Sequence, residues 1–330
     1  MPIGGSLTNI PGGFTSGISL RGIPLVQTQP GNVFWVNNGT TLNAQARAGS
    51  DSNRGTYLAP LATLQKGIDS CVAGRGDIIF VGAGHAESVS SASAITLNKS
   101  GVAIIGLGTG ALRPTFTFTT ANTATIGLAA SNVSISNCLF LAGFLNVATC
   151  FNVANAQVAT DFSLEQCAFR DNSTILNFVK IITIGTTANI CDGLYVNGCR
   201  VFGQAAAPAA GTTMISTGSI INRMILTNNW ITHQVLLNST ACLIASGALD
   251  LTSCKLGGNI TDRPNTTSTG ELWSTSSIAS NGTMICDNYC GTLSANGLIA
   301  PVGTKAQFIQ NFCMLIGAQD KSAALNPVAV

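Results

Sequence analysis

The sequence predicts an all-β chain wound as a single-stranded parallel β-helix, a solenoid of about eight coils. An extended N-terminal arm and a short capping helix precede it. Three observations carry that expectation. The first is a recurring octet. Val133-Ser134-Ile135-Ser136-Asn137-Cys138-Leu139-Phe140 alternates apolar and polar residues, then turns at an Asn-Cys step. That is the pattern of a half-buried strand ending in a polar corner. It recurs at 162–169, 194–201, 224–231 and 249–256, with degenerate copies around Asp287-Asn288 and Gln310-Asn311 and an earlier one at 102–107. The second observation is the period. Cys or Asn falls at 138, 167, 199, 229, 254, 288 and 311, at spacings of 29, 32, 30, 25, 34 and 23 residues. The third is a further strand in each period, such as Cys150-Phe151-Asn152-Val153, Lys180-Ile181-Ile182-Thr183-Ile184 and Thr213-Met214-Ile215-Ser216. A unit of this size pairs with its successor, and strands stacked at about 4.8 Å build a rod of roughly 40 Å. An antiparallel sandwich would need hairpin turns every 8 to 12 residues or so, which the sequence lacks.

The elements follow in order. Residues 1–32 are rich in Gly, Pro, Ser and Thr and carry one charge, Arg21. Such a segment cannot build a core and reads as an arm that orders on a partner. Its partner-binding candidates are Pro2, Ile3, Ile10, Pro11, Phe14, the Ile18-Ser19-Leu20 step, Arg21, Ile23, Pro24 and Leu25. Residues 33–100 supply a first strand, Val33-Phe34-Trp35-Val36, then the capping helix and the first coil. Leu61, Leu64, Ile68 and Cys71 have helical spacing, Pro60 suits a first helical turn, and Gly74 and Gly76 stop the helix. Residues 101–316 carry the repeats. Residues 317–330 read as a tail that leaves or caps the last coil, whose open edge needs cover.

Three stretches together carry a resemblance: Gly49-Ser50-Asp51-Ser52-Asn53-Arg54-Gly55-Thr56, then Pro60 through Asp69, then Gly76-Asp77-Ile78-Ile79-Phe80-Val81-Gly82-Ala83-Gly84-His85-Ala86-Glu87. They resemble the opening of pectate-lyase-like right-handed parallel β-helix proteins, of the kind found in tailed-phage decoration, fibre and tailspike proteins. The resemblance covers 49–88 by motif and 100–316 by repeat pattern. It implies right-handed winding, with the helix over the first coil. It implies little about chemistry, because this fold hosts lyases, hydrolases, tailspikes and non-enzymatic shafts.

Charged residues make up only 8% of the chain, against roughly 25% in an average soluble protein. No apolar run approaches the roughly 20 residues of a membrane-spanning helix, so no membrane partner is expected. A formal net charge of +2 gives no case for nucleic acid. The opening Met-Pro-Ile-Gly-Gly-Ser lacks a basic segment followed by an apolar one, so no secretory signal is expected. The eleven cysteines include no Cys-x-x-Cys pair. Cys138, Cys167, Cys199 and Cys254, sharing one repeat position, are expected to stack as small, buried, reduced side chains, rather than as disulfides or metal ligands. No cofactor and no metal are expected.

Gly106-Leu107-Gly108-Thr109-Gly110-Ala111 lacks the spacing of a dinucleotide loop and reads as a turn between coils. His85, beside Glu87, reads as a surface polar residue. Were the chain an enzyme, its catalytic candidates would be Asp161, Glu165, Asp171 and Asp192 with Arg170 and Arg200, all in consecutive coils. Glycoside hydrolysis needs two carboxyls about 5–9.5 Å apart, and the lyases of the resembled family use clustered acids for calcium beside an Arg or Lys base. The opposing reading is that these are scattered charges keeping a neutral rod soluble. No lyase calcium motif is present.

The expectation is therefore non-enzymatic: a structural virion protein of a tailed bacteriophage, a capsid decoration (cement) or head-fibre subunit. It would be anchored by its arm to the major capsid protein or other virion proteins, on the particle surface after assembly in the host cytoplasm. A homotrimer is expected, because three rods bury their lateral apolar faces. The alternative is a tailspike depolymerase or a receptor protein binding a host-surface glycan along the β-helix. An aromatic content of 6% offers that alternative few sugar-stacking platforms.

Overall fold

The computed structural model describes residues 19–20, 23–24, 31–39, 48–173, 175–203, 212–233, 243–246, 251–262, 273–274, 282–292, 299–300, 307–315 and 322–324. The chain is an all-β parallel solenoid with three long sheets and almost no helix. The first sheet has ten strands, from Val33–Val36 and Ile78–Val81 through Ser134–Ser136 to Gln307–Ile309. The second runs from Ala86–Val89 through Leu139–Ala142 to Phe312–Leu315, where Ser322–Ala324 adds an antiparallel edge strand. The third has eight strands, from Ile95–Leu97 to Ile299–Ala300. Eight coils thus feed all three sheets, a ninth feeds two, and Val33–Val36 precedes the first, a slight departure from the eight expected.

Two corners repeat along the rod. Between the first and second sheets, Asn137, Gln166, Gly198, Asn228, Gly258, Asp287 and Gln310 are left-handed, with φ between 49° and 65°. The next residue points inward: Cys138, Cys167, Cys199, Asn229, Asn259, Asn288 and Asn311, each at most 1% exposed. Between the third and first sheets the device recurs. Asn132, Asp161, Gly193, Arg223, Ser253 and Gly282 are left-handed, and Val133, Phe162, Leu194, Met224, Cys254 and Thr283 follow, all buried. This corrects the repeat register. Lys255 pairs with Ile225 and Leu256 with Leu226, so the octet is 254–261 rather than 249–256. Cys254 belongs to the other corner, and Asn259 holds the position assigned to it. The inward spacings become 29, 32, 30, 30, 29 and 23, without the swing from 25 to 34.

Inward residues form columns. On the first sheet Ile79, Ile104, Ile135, Leu164, Val196, Leu226, Leu256 and Ile285 are register partners, all buried. On the second, Phe116, Phe140 and Phe169 stack with ring centroids 5.6 and 5.2 Å apart. Fully burying such a side chain stabilises by about 1.5–3 kcal/mol.

The helix spans Leu64–Ser70, shorter than its apolar spacing suggests. Thr63 caps it, its hydroxyl accepting from the Lys66 amide at 3.2 Å. Leu61 lies before the helix because it makes a parallel bridge to Val36. Asp51 accepts from the amides of Ala62 and Thr63, fixing that turn. Gly67 lets the helix approach closely, since a Cβ there would lie 2.8 Å from Val36 Cγ2. Asp77, fully buried, fastens this end of the rod. It accepts from the Asn32 and Val72 amides and from Arg75 through both carboxylate oxygens, at 2.6–2.7 Å. Burial pushes its carboxyl up, but the Arg75 side chain and the two amides outweigh that and hold it below the usual carboxylate range.

Candidate functional site

The candidate acids occupy separate places. Asp161 stands at the third-to-first corner, 3.6 Å from Arg223, both well exposed. Asp192 lies in the same turn region and accepts from the Asn222 amide and side chain, both at 2.9 Å. Glu165 ends the first-sheet strand Ser163–Glu165 and accepts from the Ser163 hydroxyl at 3.0 Å. Asp171 ends a second-sheet strand, is buried, and accepts from the Phe178 amide at 3.4 Å. Arg170 and Arg200 both lie exposed on the outer face of the second sheet, but two register steps apart, since Arg170 pairs with Phe202 and Ala168 with Arg200. Among the described residues, no group of three or more His, Cys, Asp and Glu side chains is placed to hold a metal. The arm candidates lie outside the described residues except at Ser19–Leu20 and Ile23–Pro24, which pair antiparallel.

His85 is buried, against the surface reading. Its Nδ1 accepts from the Asn38 amide at 3.2 Å. A backbone amide can only donate, so the ring hydrogen sits on Nε2, 3.0 Å from Glu87 Oε2. Glu87 Oε2 also accepts from the Leu64 amide at 2.9 Å. His85 and Glu87 thereby tie the first coil to the leading strand's turn and to the helix. Gly106–Ala111 lies within a coil rather than between coils: Gly106 ends the first-sheet strand Ala103–Gly106, Gly110–Leu112 forms one 3-10 turn, and Asn137 donates to the carbonyls of Gly106 and Gly108.

Cys71, Cys138, Cys150, Cys167, Cys191, Cys199, Cys254 and Cys286 are free and buried. Burial pushes the thiols of Cys71 and Cys191 up to about 12 and that of Cys254 up to about 11, and raises Cys138, Cys150 and Cys199 well above the ordinary range. These thiols are inert fillers, not nucleophiles.

One surface feature escaped the sequence reading. The residue after each inward corner residue points out of the second sheet. In register these are Leu139, Ala168, Arg200, Trp230, Ile260, Tyr289 and Phe312. Trp230, Ile260 and Phe312 are 40–45% exposed, and the Arg200 guanidinium stands 5.8 Å from the Trp230 ring centroid. The signal was there: Asn-Trp, Asn-Ile, Asn-Tyr and Asn-Phe steps at the coil period.

No protein-family model and no curated protein matches the sequence. Among solved structures, a rhamnogalacturonan lyase is similar at 13% identity and a TM-score of 0.42, over 85% of this chain and 87% of that one. A GH136 lacto-N-biosidase from Eubacterium ramulus is similar at 12% identity and a TM-score of 0.50, over 86% and 60%. ORF18 of Geobacillus virus E2 is similar at 14% identity and a TM-score of 0.30, over 78% and 59%. At these identities the likeness speaks to the fold alone: the chain is a parallel β-solenoid.

Proposed function

We propose that the chain is a structural virion protein of a tailed bacteriophage, a capsid decoration or head-fibre subunit attached through residues 1–32. The observation that carries this reading is how the rod uses its few acids. Asp77, Asp161, Glu165, Asp171 and Asp192 each bond to a neighbouring group in the solenoid, as stiffening rather than as a reactive pair. An inert, weakly charged shaft behind a Gly/Pro-rich arm suits particle decoration. The test is deletion of residues 1–32, followed by binding to particles that lack the protein. The shortened rod should keep its β circular dichroism and lose the particle. Binding that survives the deletion refutes the arm's role. The second reading, a glycan-binding or depolymerising rod, draws on the Arg200–Trp230 platform. Release of reducing or unsaturated sugar ends from a host glycan would favour it over the first.

A further inference from the structure

We propose that the open edge of the last first-sheet strand, Gln307–Ile309, is a strand-docking site, and that its occupant is residues 327–329 of the same chain, pairing antiparallel. Gln307–Ile309 pairs with Met284–Cys286 on one side and stands last in the sheet order, and no described strand takes its other side. The main-chain bonds show which residue faces that side. The Gln307 amide donates to the Thr283 carbonyl and the Ile309 carbonyl accepts from the Asp287 amide, so both residues face the preceding coil. Successive residues of a strand turn to opposite neighbours, which leaves the Phe308 N–H and C=O on the open edge. An edge of this kind pairs with whatever strand reaches it.

Three features favour this segment over a strand from another chain. The first is continuity. Ser322–Ala324 closes the second-sheet edge, with Ser322 opposite Met314, Ala323 opposite Cys313 and Ala324 opposite Phe312. Carried on residue by residue around the corner, that register sets Leu325 and Asn326 opposite Asn311 and Gln310, then Pro327, Val328 and Ala329 opposite Ile309, Phe308 and Gln307. The second is chemistry. In that register Val328 exchanges both main-chain bonds with Phe308. The proline, which has no N–H to give, falls opposite Ile309, where none is needed. Val328 also continues the column in which Phe308 is the register partner of buried Ile285. Leu325 covers Asn311, the last of the buried inward asparagines, and Asn326 meets left-handed Gln310 with a residue type that suits a bend. The third is the other end of the same sheet. There the Trp35 amide donates to Gly55 and the Leu61 amide donates to Trp35, so residues 55–61 close the leading edge within the chain. With both ends of the first sheet closed, that sheet has a fixed length and offers no edge for strands of other chains to extend. This goes beyond particle attachment through residues 1–32 and does not depend on it.

Hydrogen exchange of the full chain in dilute solution tests this. The Phe308 amide should be protected in the wild type. Val328→Pro removes the donor that pairs with Phe308 and should speed exchange at the Phe308 amide by about tenfold or more, with unchanged circular dichroism. Ala329→Pro, at a position whose N–H points away from the ladder, should leave Phe308 protected. A cross-link gives a second readout that does not rest on proline. Ile309→Cys with Pro327→Cys should form a disulfide within one chain under oxidised glutathione, because directly opposite residues of a non-hydrogen-bonded pair stand about 4.5 Å apart. Ile309→Cys with Ala329→Cys, a diagonal of about 7–8 Å, should not. A wild-type Phe308 amide that exchanges freely, equal responses to the two prolines, or a cross-link that is absent or forms equally in both pairs overturns the proposal.

Discussion

One corner of the rod is filled in two ways. In three successive coils the inward position holds Cys138, Cys167 and Cys199; in the next four it holds Asn229, Asn259, Asn288 and Asn311. The asparagines form a bonded ladder. Each Oδ1 of Asn259, Asn288 and Asn311 accepts from both the main-chain and the side-chain nitrogen of the asparagine one coil earlier, at 2.9–3.2 Å. Each Nδ2 also donates to a main-chain carbonyl, from Asn229 to Val196 through Asn311 to Ile285. The thiols make only long contacts, Sγ to carbonyl oxygen at 3.5–3.9 Å. The same geometric slot is therefore held by hydrogen bonds in one half and by plain volume in the other.

The largest expected difference between the halves is alkaline sensitivity. The folded thiols of Cys138, Cys150 and Cys199 titrate above their ordinary value of 9.0, so their contribution is complete below that pH. It is lost as pH rises, by about 1.4 kcal/mol per thiol per unit while the unfolded thiol is ionised and the folded one is not. Cys138, Cys150, Cys191 and Cys199 fall within three coils, so several kcal/mol should go by pH ~10.5. Hydrogen exchange should then open residues 133–203 before 251–262. Simultaneous opening would mean that the thiols do not set the difference.

Next is Asn259→Ala. It leaves the Asn229 amide and the Leu226 carbonyl without these partners and removes one of two bonds each at Asn229 Nδ2 and Asn288 Oδ1, a loss of about 3–4 kcal/mol. A urea midpoint that moves by less than a third of that would mean the ladder is decoration.

Much of this was legible beforehand. The solenoid, the octets at 133, 162, 194 and 224, five of the eight third-sheet strands and a helix within 60–71 could be read from alternation and period; Ile95–Leu97, Ile126–Leu128 and Trp273–Ser274 could not. The register near 254 could not, and the reason is physical. Both corners place a buried inward residue after a left-handed one, so a cysteine fits either grid. Matching by residue type chose Cys254, whereas only pairing distinguishes it from Asn259. The candidate acids were adjacent in sequence, but every corner resets which way a side chain points. Asp161, Glu165 and Asp171 therefore diverge within ten residues.

A smaller effect is expected from Cys167→Ala, about 1 kcal/mol for one lost buried atom that makes no strong bond, against three times that for the asparagine deletion. Equal losses in the two variants, read from urea unfolding, would erase the distinction between volume and bonding.

The smallest expected effect is the most discriminating. Cys199 already donates its amide to Asn229 Oδ1 at 2.9 Å, and its sulfur lies 3.5 Å from the Leu164 carbonyl. Leu164 pairs with Val196, the residue whose carbonyl Asn229 Nδ2 uses one coil on. Both acceptors for a new Nδ2 are thus in place, and Cys199→Asn should extend the ladder within about 1 kcal/mol of wild type, two extra heavy atoms offsetting the bonds gained. Cys167→Asn has no such acceptor beneath it, because Cys199 supplies none, and should cost about 2 kcal/mol for the half-satisfied amide. Equal tolerance of asparagine at 167 and 199 would show that the slot selects for size alone, and that the bonded half of the rod owes its asparagines to something other than one another.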